Sequence, residues 1–458
     1  MKVVDNTTNL YGTNTVLSNI EPELVHPLLK KYILADGFEI VLDLNKSHGA
    51  YLVDEKNGEE YLDFFTFFAS NPLGMNHPKL KEPEFLAKLQ LASIHKPSNS
   101  DIYTTLMAEF INNFGVIAKP AHFKHLFFVE GGSVAVENGL KVAFDWKVRK
   151  NFQKGYKSEK GSKVIHFKEA FHGRTGYTLS LTNTDPSKIN YFPKFDWPRI
   201  SNPKIKFPLN ENLTSVIEAE NNAVDEIYAA IKNNPDDIAI LIVEPIQAEG
   251  GDNFFRKEFF RKLRDICNEN EIMLMFDEVQ TGLGMTGKMW AHEHFVEPDI
   301  VSFGKKVQLG GIMVSDRVDE IEDNCFRVSS RINSTWGGNL TDMVRGAKIL
   351  EIIYDERLVE NAATQGKLLL QSIENLQKEF PDLISNARGL GLMCSFDFHD
   401  AETRKSFLNE LYKNKLLMLG CGKTAVRFRT ALNITEDEIK KGIAIIEKSL
   451  YSVSKSII

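Results

Sequence analysis

Short apolar runs alternate along this chain with stretches whose apolar positions recur every three to four residues, a mixture of strand and helix periods. His125-Leu126-Phe127-Phe128-Val129, Lys163 to Phe167 and Asp237 to Val243 read as strands, and so do two apolar runs, one within Ile272 to Gly282 that ends in a carboxylate and one within Pro298 to Lys305 that ends in a lysine. Val134 to Lys147, capped by Ser133, and Phe254 to Glu269 read as helices. The unbroken apolar run from Asp237 to Val243 predicts a strand buried on both faces. This alternation implies an α/β fold with a mostly parallel, doubly covered sheet.

The flanks have a different texture. Up to about Leu62 the pattern predicts a helical lead-in and short strands at Glu39 to Leu44 and Ala50 to Val53. After Leu340, long helices (Met343 to Tyr354, Glu360 to Phe380) precede the strand Leu392 to Phe396. A helix from Ala401 to Asn414, the strands Leu416 to Leu419 and Ala425 to Phe428, and a helix from Thr435 to Tyr451 follow. The expected organisation is an N-terminal segment (1–70) joined to a smaller α+β domain (340–458), with a large domain (71–339) between them. A hinge is expected near Gly337-Gly338-Asn339.

Composition narrows the classes. A net charge of -7 argues against nucleic acid as the main partner. The four cysteines, Cys267, Cys325, Cys394 and Cys421, form no CxxC pair, so neither a disulfide framework nor a zinc site is expected, and a reducing cytoplasm fits. The polar first residues, around Asp5, carry no secretory pattern, and no apolar stretch reaches membrane-spanning length.

Three motif matches fail on context. Ile272 to Glu278 fits a Walker B strand and Gly422-Lys423-Thr424 the end of a P-loop, but Leu417 stands where that loop needs glycine, and the order is inverted. Gly282-Leu283-Gly284-Met285-Thr286-Gly287 matches GxGxxG but follows a late strand, so a glycine-rich turn is expected. His292-Glu293-His294 lacks HExxH spacing and reads as a surface patch; no metal site is expected.

The chemistry lies at strand ends. One apolar strand ends in Asp277 and the next in Gly304-Lys305, so an acid and an amine meet at one sheet edge. An acid that can hold a pyridinium nitrogen and a lysine that can form a Schiff base suit pyridoxal phosphate (PLP). Glu130-Gly131-Gly132-Ser133-Val134, between strand and helix, suits an anion or is a plain helix cap. Phe171-His172-Gly173-Arg174 and Glu244 to Gly251 also follow strands. Four polar or glycine-rich loops at one structural position outweigh any single one.

Phe276 to Gly282, Gly304-Lys305 and Asn333-Ser334-Thr335-Trp336-Gly337-Gly338-Asn339 make the chain resemble a class III (ω-amino acid) aminotransferase from about Pro27 onward. Phe303 to Gln308, Arg331 to Trp336 and Arg388 to Cys394 are most similar to lysine-using members. The resemblance implies the PLP-dependent aspartate-aminotransferase fold (fold type I) and a homodimer. It implies that Lys305, rather than Lys306, carries PLP and shuttles a proton, and that Asp277 holds the pyridine nitrogen. Gly132, Ser133 and Val134 would cup the phosphate, with Thr335 of the partner subunit. Phe171 would stack on the ring, with Val279 and Gln280 on its other face and His172 in the same pocket. Arg174 would clamp a distal carboxylate, and Arg427 the α-carboxylate of glutamate. Glu249 would pair with Arg427 when lysine is bound and swing away for glutamate. Asn333 joins the implied substrate residues.

The implied substrates are L-lysine and 2-oxoglutarate. Ornithine, 4-aminobutyrate or diamine donors, or a racemase or aminomutase on the same fold, are the alternatives. The chain has Thr430-Ala431 where the family has prolines after Arg-Phe-Arg.

Overall fold

The computed structural model describes residues 20–457. Two short strands, β1 (Tyr51–Val53) and β2 (Glu60–Asp63), come first. A seven-stranded sheet follows, built from β3 (Phe123–Val129), β4 (Lys163–Phe167), β5 (Arg199–Ile200), β6 (Ile238–Val243), β7 (Met273–Asp277), β8 (Ile300–Phe303) and β9 (Gly310–Ser315). The chain then supplies β10 (Ile384–Leu390), β11 (Met393–Phe398), β12 (Leu416–Leu417), β13 (Leu419–Cys421) and β14 (Ala425–Arg427).

The large sheet has the order β3-β9-β8-β7-β6-β4-β5. Its strands run parallel except β9, which is antiparallel to both neighbours. Side-chain alternation divides its interior between two cores. Met273 and Met275 face the helix Gly132–Gln153, with Ala135, Leu140 and Trp146. Leu274 and Phe276 face the opposite layer, with Phe259, Phe260 and Leu263 of the helix Lys257–Glu269. Because β4, β6, β7 and β8 are parallel, their C-terminal ends open at one edge, and the loops carrying Phe171, Glu244, Asp277 and Lys305 converge there.

The smaller sheets tie the chain's flanks together. β10-β11-β14-β13 is antiparallel. β12 leaves that sheet and pairs in parallel with β2, beside β1. The core under these sheets joins Leu62, Phe64 and Leu73 to Phe396, Phe428, Ile439 and Ile446.

Several expected elements differ. Glu39 to Leu44 holds only an isolated bridge, Leu42 to Asp54, because the Asp43 carboxylate caps the N–H groups of Asn45 and Lys46 and turns the chain. The helix begins at Gly132, one residue before Ser133, after Gly131 at φ 91°. Ser133 is therefore not the N-cap; its hydroxyl bonds Thr175 and Thr178. Leu416 to Leu419 is split between two sheets. His292 is no surface group: it is buried and bonds Glu278 at 2.8 Å. The helix Leu209–Asn233 and strands β9 and β10 were not legible; Gly310 and Gly311 open β9, and glycine is a weak strand former. The leader reading around Asp5, and positions 1–19 of the N-terminal segment, lie outside the described residues. No described helix is long and apolar enough to cross a membrane.

Candidate active site

A cavity of about 320 Å³ opens at the carboxyl edge of the large sheet. Gly132, Ser133, Phe171, His172, Arg174, Asp277, Val279, Gln280 and Lys305, all singled out from the sequence, line it. Gly173, Glu244, Ile246 and Thr281 complete the wall.

Asp277 ends β7 in a tightly specified position. Its Oδ1 accepts from the Val279 N–H at 3.1 Å and the Ser302 hydroxyl at 3.2 Å, and its Oδ2 lies 2.8 Å from His172 Nδ1. A carboxylate only accepts, so Nδ1 carries the proton in this contact. The His172 side chain is completely buried, and its bond braces the Asp277 carboxylate in the cavity wall.

Lys305 follows β8 with φ 50°, a left-handed conformation that turns its side chain into the cavity. Burial, helped by the charges of Arg427 and Arg429, brings its amine down to about 8. Lys306 goes elsewhere. It is buried, donates from Nζ to the Gln280 carbonyl at 2.7 Å, and burial pushes its amine far down. One residue of register thus separates the reactive candidate from a structural lysine.

The cavity wall also holds an anion cradle. The first N–H groups of the helix Gly132–Gln153, at Gly132, Ser133 and Val134, have no intrahelical acceptors and carry the positive end of its dipole. A Cβ on Gly132 would lie 2.7 Å from Val279 Cγ1, so only glycine keeps this backbone against the cavity wall. The Val134 side chain faces away and packs on the apolar core.

Around Phe171 and Arg427, three cations gather about one carboxylate. Arg174 and Lys188 stand 6.0 and 5.7 Å from the Phe171 ring centre. Glu249 Oε2 lies 3.1 Å from Arg427 Nη1, and Glu249 Oε1 accepts from Lys188 Nζ at 2.5 Å. Burial works to raise the Glu249 carboxyl, but Arg427 and Lys188 outweigh it and hold it below its ordinary value. The Glu249 carbonyl accepts from the Gly422 N–H at 2.8 Å, so this loop rests on the β13–β14 turn that leads to Arg427.

Asn333 and Thr335 do not join the cavity of their own chain. Both are exposed, and the Thr335 carbonyl accepts from Ser98. Sequence reasoning also missed a wall of the site. Thr66, Phe67, Phe68 and Ala69 all have positive φ, 40°, 51°, 61° and 64°. This left-handed turn is pinned by Asp63, which accepts from the Phe65 and Thr66 N–H groups, and by the Thr66 hydroxyl on the Arg429 carbonyl. It puts the Phe68 carbonyl 3.2 Å from Lys305 Nζ and its ring 5.8 Å from the Arg427 guanidinium. No turn residue in Thr-Phe-Phe-Ala signals it. Glu244 was quoted only as part of a loop. It accepts from the Phe171 and Ala248 N–H groups, and burial beside Asp277 pushes its carboxyl well up. Among the described residues no cluster of three or more His, Cys, Asp or Glu could hold a metal ion.

A buried, braced acid, an amine of lowered basicity and a helix-end anion cradle at one sheet edge define a site for an aldehyde cofactor bearing a phosphate and a basic ring nitrogen. The model of the family Aminotransferase class-III matches residues 33–450, and the chain belongs to that family. It is an aminotransferase of the PLP fold type I, and the residues just described fit its cofactor, PLP. L-lysine-epsilon aminotransferase of Mycobacterium tuberculosis is 49% identical over 94% of this chain and 96% of its own length. The enzyme of the same name from Streptomyces clavuligerus is 43% identical over 97% and 98%. The solved structure of lysine aminotransferase from M. tuberculosis in the internal aldimine form superposes with a TM-score of 0.93 at 48% identity, over 95% of this chain and 100% of that one.

Proposed function

We propose that this chain transfers the ε-amino group of L-lysine to 2-oxoglutarate, giving glutamate and 2-aminoadipate 6-semialdehyde. The L-lysine-epsilon aminotransferases to which it is similar over nearly their whole length support the donor. The observation that carries the reading is the Glu249–Arg427 pair at 3.1 Å. The two substrates present different groups beside the reacting carbon, a methylene chain for lysine and a carboxylate for 2-oxoglutarate. A guanidinium that a mobile carboxylate can cap or release serves both, whereas an unpaired buried cation against a methylene chain is costly.

PLP supplies a carbonyl to capture the amine and a ring to withdraw electrons from the reacting carbon. Gly132, Ser133 and Val134 would hold its phosphate, Phe171 and Val279 its faces, Asp277 its ring nitrogen, with His172 and Gln280 alongside, and Lys305 its aldehyde carbon. The Lys305 amine, brought down to about 8, exchanges its proton far closer to neutral pH than an ordinary lysine and so can accept and return a proton. Asp277, braced by His172, would favour a proton on the ring nitrogen. Arg174 meets the distal carboxylate of either substrate, and Arg427 the α-carboxylate of glutamate once Glu249 has moved.

A homodimer is part of this reading. Exposed Asn333 and Thr335 are free to complete the site of a second copy, and sedimentation of a fully active monomer would contradict it. The four buried, unpaired cysteines fit a cytoplasmic setting. The pairing of β2 with β12 supports the assignment of the segment before residue 70 to the smaller domain.

The test is single-turnover measurement of each half-reaction in Glu249→Gln, with a donor panel of lysine, ornithine and 4-aminobutyrate. The lysine half-reaction is expected to weaken about tenfold while 2-oxoglutarate binding holds or tightens. Equal slowing of both halves would make Glu249 structural, and preference for another panel member would replace lysine as the donor.

A further inference from the structure

Glu249 has two cationic partners, one on each oxygen. Lys188 lies outside every segment that pointed to the site. It ends a single turn, Pro186–Lys188, whose start is capped by the Asp185 carboxylate on the Ser187 N–H at 2.8 Å. The Lys188 N–H returns to the Asp185 carbonyl at 3.1 Å, so the backbone that aims this side chain is held locally. The Lys188 side chain is 18% exposed and that of Glu249 is 23% exposed, so water offers the carboxylate little alternative solvation.

The two contacts differ in quality. The Lys188 contact is a hydrogen bond at 2.5 Å. Arg427 is within ion-pair distance, but its Nη1 and Nε are buried without a hydrogen-bond acceptor. Release of Arg427 therefore breaks the poorly aligned contact and leaves the aligned one.

We propose that Lys188 is a positioning residue that holds Glu249 when Arg427 is given up to a substrate carboxylate, and so sets the affinity of the site for dicarboxylates. The proposal rests on the carboxylate-switch reading above. With Lys188 present, Glu249 moves from two partners to one. Without it, Glu249 would move from one partner to none while still shielded, and removing the last partner of a shielded charge costs far more than removing one of two. Loss of Lys188 should thus tighten Glu249 on Arg427 and penalise only ligands that need Arg427 free.

Glutarate is the probe, because it carries two carboxylates and neither amine nor ketone. Its binding to the holoenzyme is measured by titration calorimetry in Lys188→Met, Lys188→Arg, Glu249→Gln and the double variant. Lys188→Met should weaken glutarate about tenfold, ~1.4 kcal/mol, while the lysine half-reaction slows by no more than about twofold, and Lys188→Arg should stay near the parent. Glu249→Gln should bind at least as tightly as the parent, and adding Lys188→Met to it should change nothing further. Unaltered glutarate binding in Lys188→Met overturns the proposal. So does an equal loss in the Glu249→Gln background, which would mean that Lys188 contacts the ligand itself. If Glu249→Gln alone weakens glutarate and both half-reactions alike, the switch reading has failed, and the Lys188 proposal falls with it.

Discussion

Arg427 and Arg429 stand two residues apart on one strand end, both almost wholly buried, yet their surroundings are opposite. Arg429 donates from Nη1 to Asp252 Oδ2 at 2.9 Å and from Nη2 to Asp252 Oδ1 at 2.5 Å, a two-armed pair, and also to the Phe428 carbonyl. Burial works against its charge, but Asp252 outweighs burial and holds the guanidinium above its ordinary value. Arg427 shares a single carboxylate with Lys188 and leaves two nitrogens without acceptors. The first arrangement is a lock and the second is poised. Binding an exchangeable carboxylate requires a cation whose hydrogen-bonding capacity is not already filled, and such a site gives up stability to retain it.

The largest effect should come from breaking the lock. Asp252→Asn leaves a buried guanidinium without its counter-charge, and a loss of about 3–5 kcal/mol in unfolding free energy is expected. Urea unfolding of the holoenzyme checks this; a loss below ~1 kcal/mol would erase the distinction between the two arginines.

Arg427→Gln should do the reverse. Stability should change by less than ~1 kcal/mol, since donors already lacking acceptors are removed and Glu249 keeps Lys188. Affinity for 2-oxoglutarate should fall about a hundredfold, ~2.7 kcal/mol. Thermal unfolding and half-reaction kinetics on the same preparation measure both. A variant that unfolds early but binds normally would place Arg427 with Arg429.

The smallest effect is electrostatic. Burial lowers the Lys305 amine to about 8, and the charge of Arg427 adds more to that depression than the charge of Arg429. Capture of added PLP by the apo-protein needs the free amine, so its rate should rise with pH and level off above about 8. In Arg427→Gln the midpoint should move upward. Linkage has the same sign: a lysine depressed by folding disfavours the folded state below its folded value. Its cost therefore fades as pH rises from about 8 toward the ordinary lysine value of 10.5. An unmoved midpoint in Arg427→Gln would mean that burial alone sets the Lys305 amine.

The strand ends were readable in the sequence because parallel strands buried on both faces must be continuous apolar runs, and whatever polar residue ends such a run stands out. Asp277, Lys305, Glu249 and the Gly132-Ser133 turn were found this way, or by the family resemblance, and the structure gathers Asp277, Lys305, Gly132 and Ser133 around one cavity. The choice of Lys305 over Lys306 needed the resemblance first, since composition does not distinguish adjacent lysines; the left-handed backbone at Lys305 separates them in space.

Other features had no local signal. The turn Thr66 to Ala69 uses residues that avoid positive φ, and holds only because Asp63, the Arg429 carbonyl and the Phe65 carbonyl constrain it from outside. The grip of Lys188 on Glu249 joins positions 61 residues apart, through side chains whose types are common on any surface. Local sequence therefore determined where strands end and which of them end in chemistry, because burial and backbone pairing are enforced residue by residue. Which charges meet, and which of two neighbouring arginines stays available, was decided only by the tertiary structure. Partner geometry and desolvation are properties of the packed site, and no short window of sequence contains them.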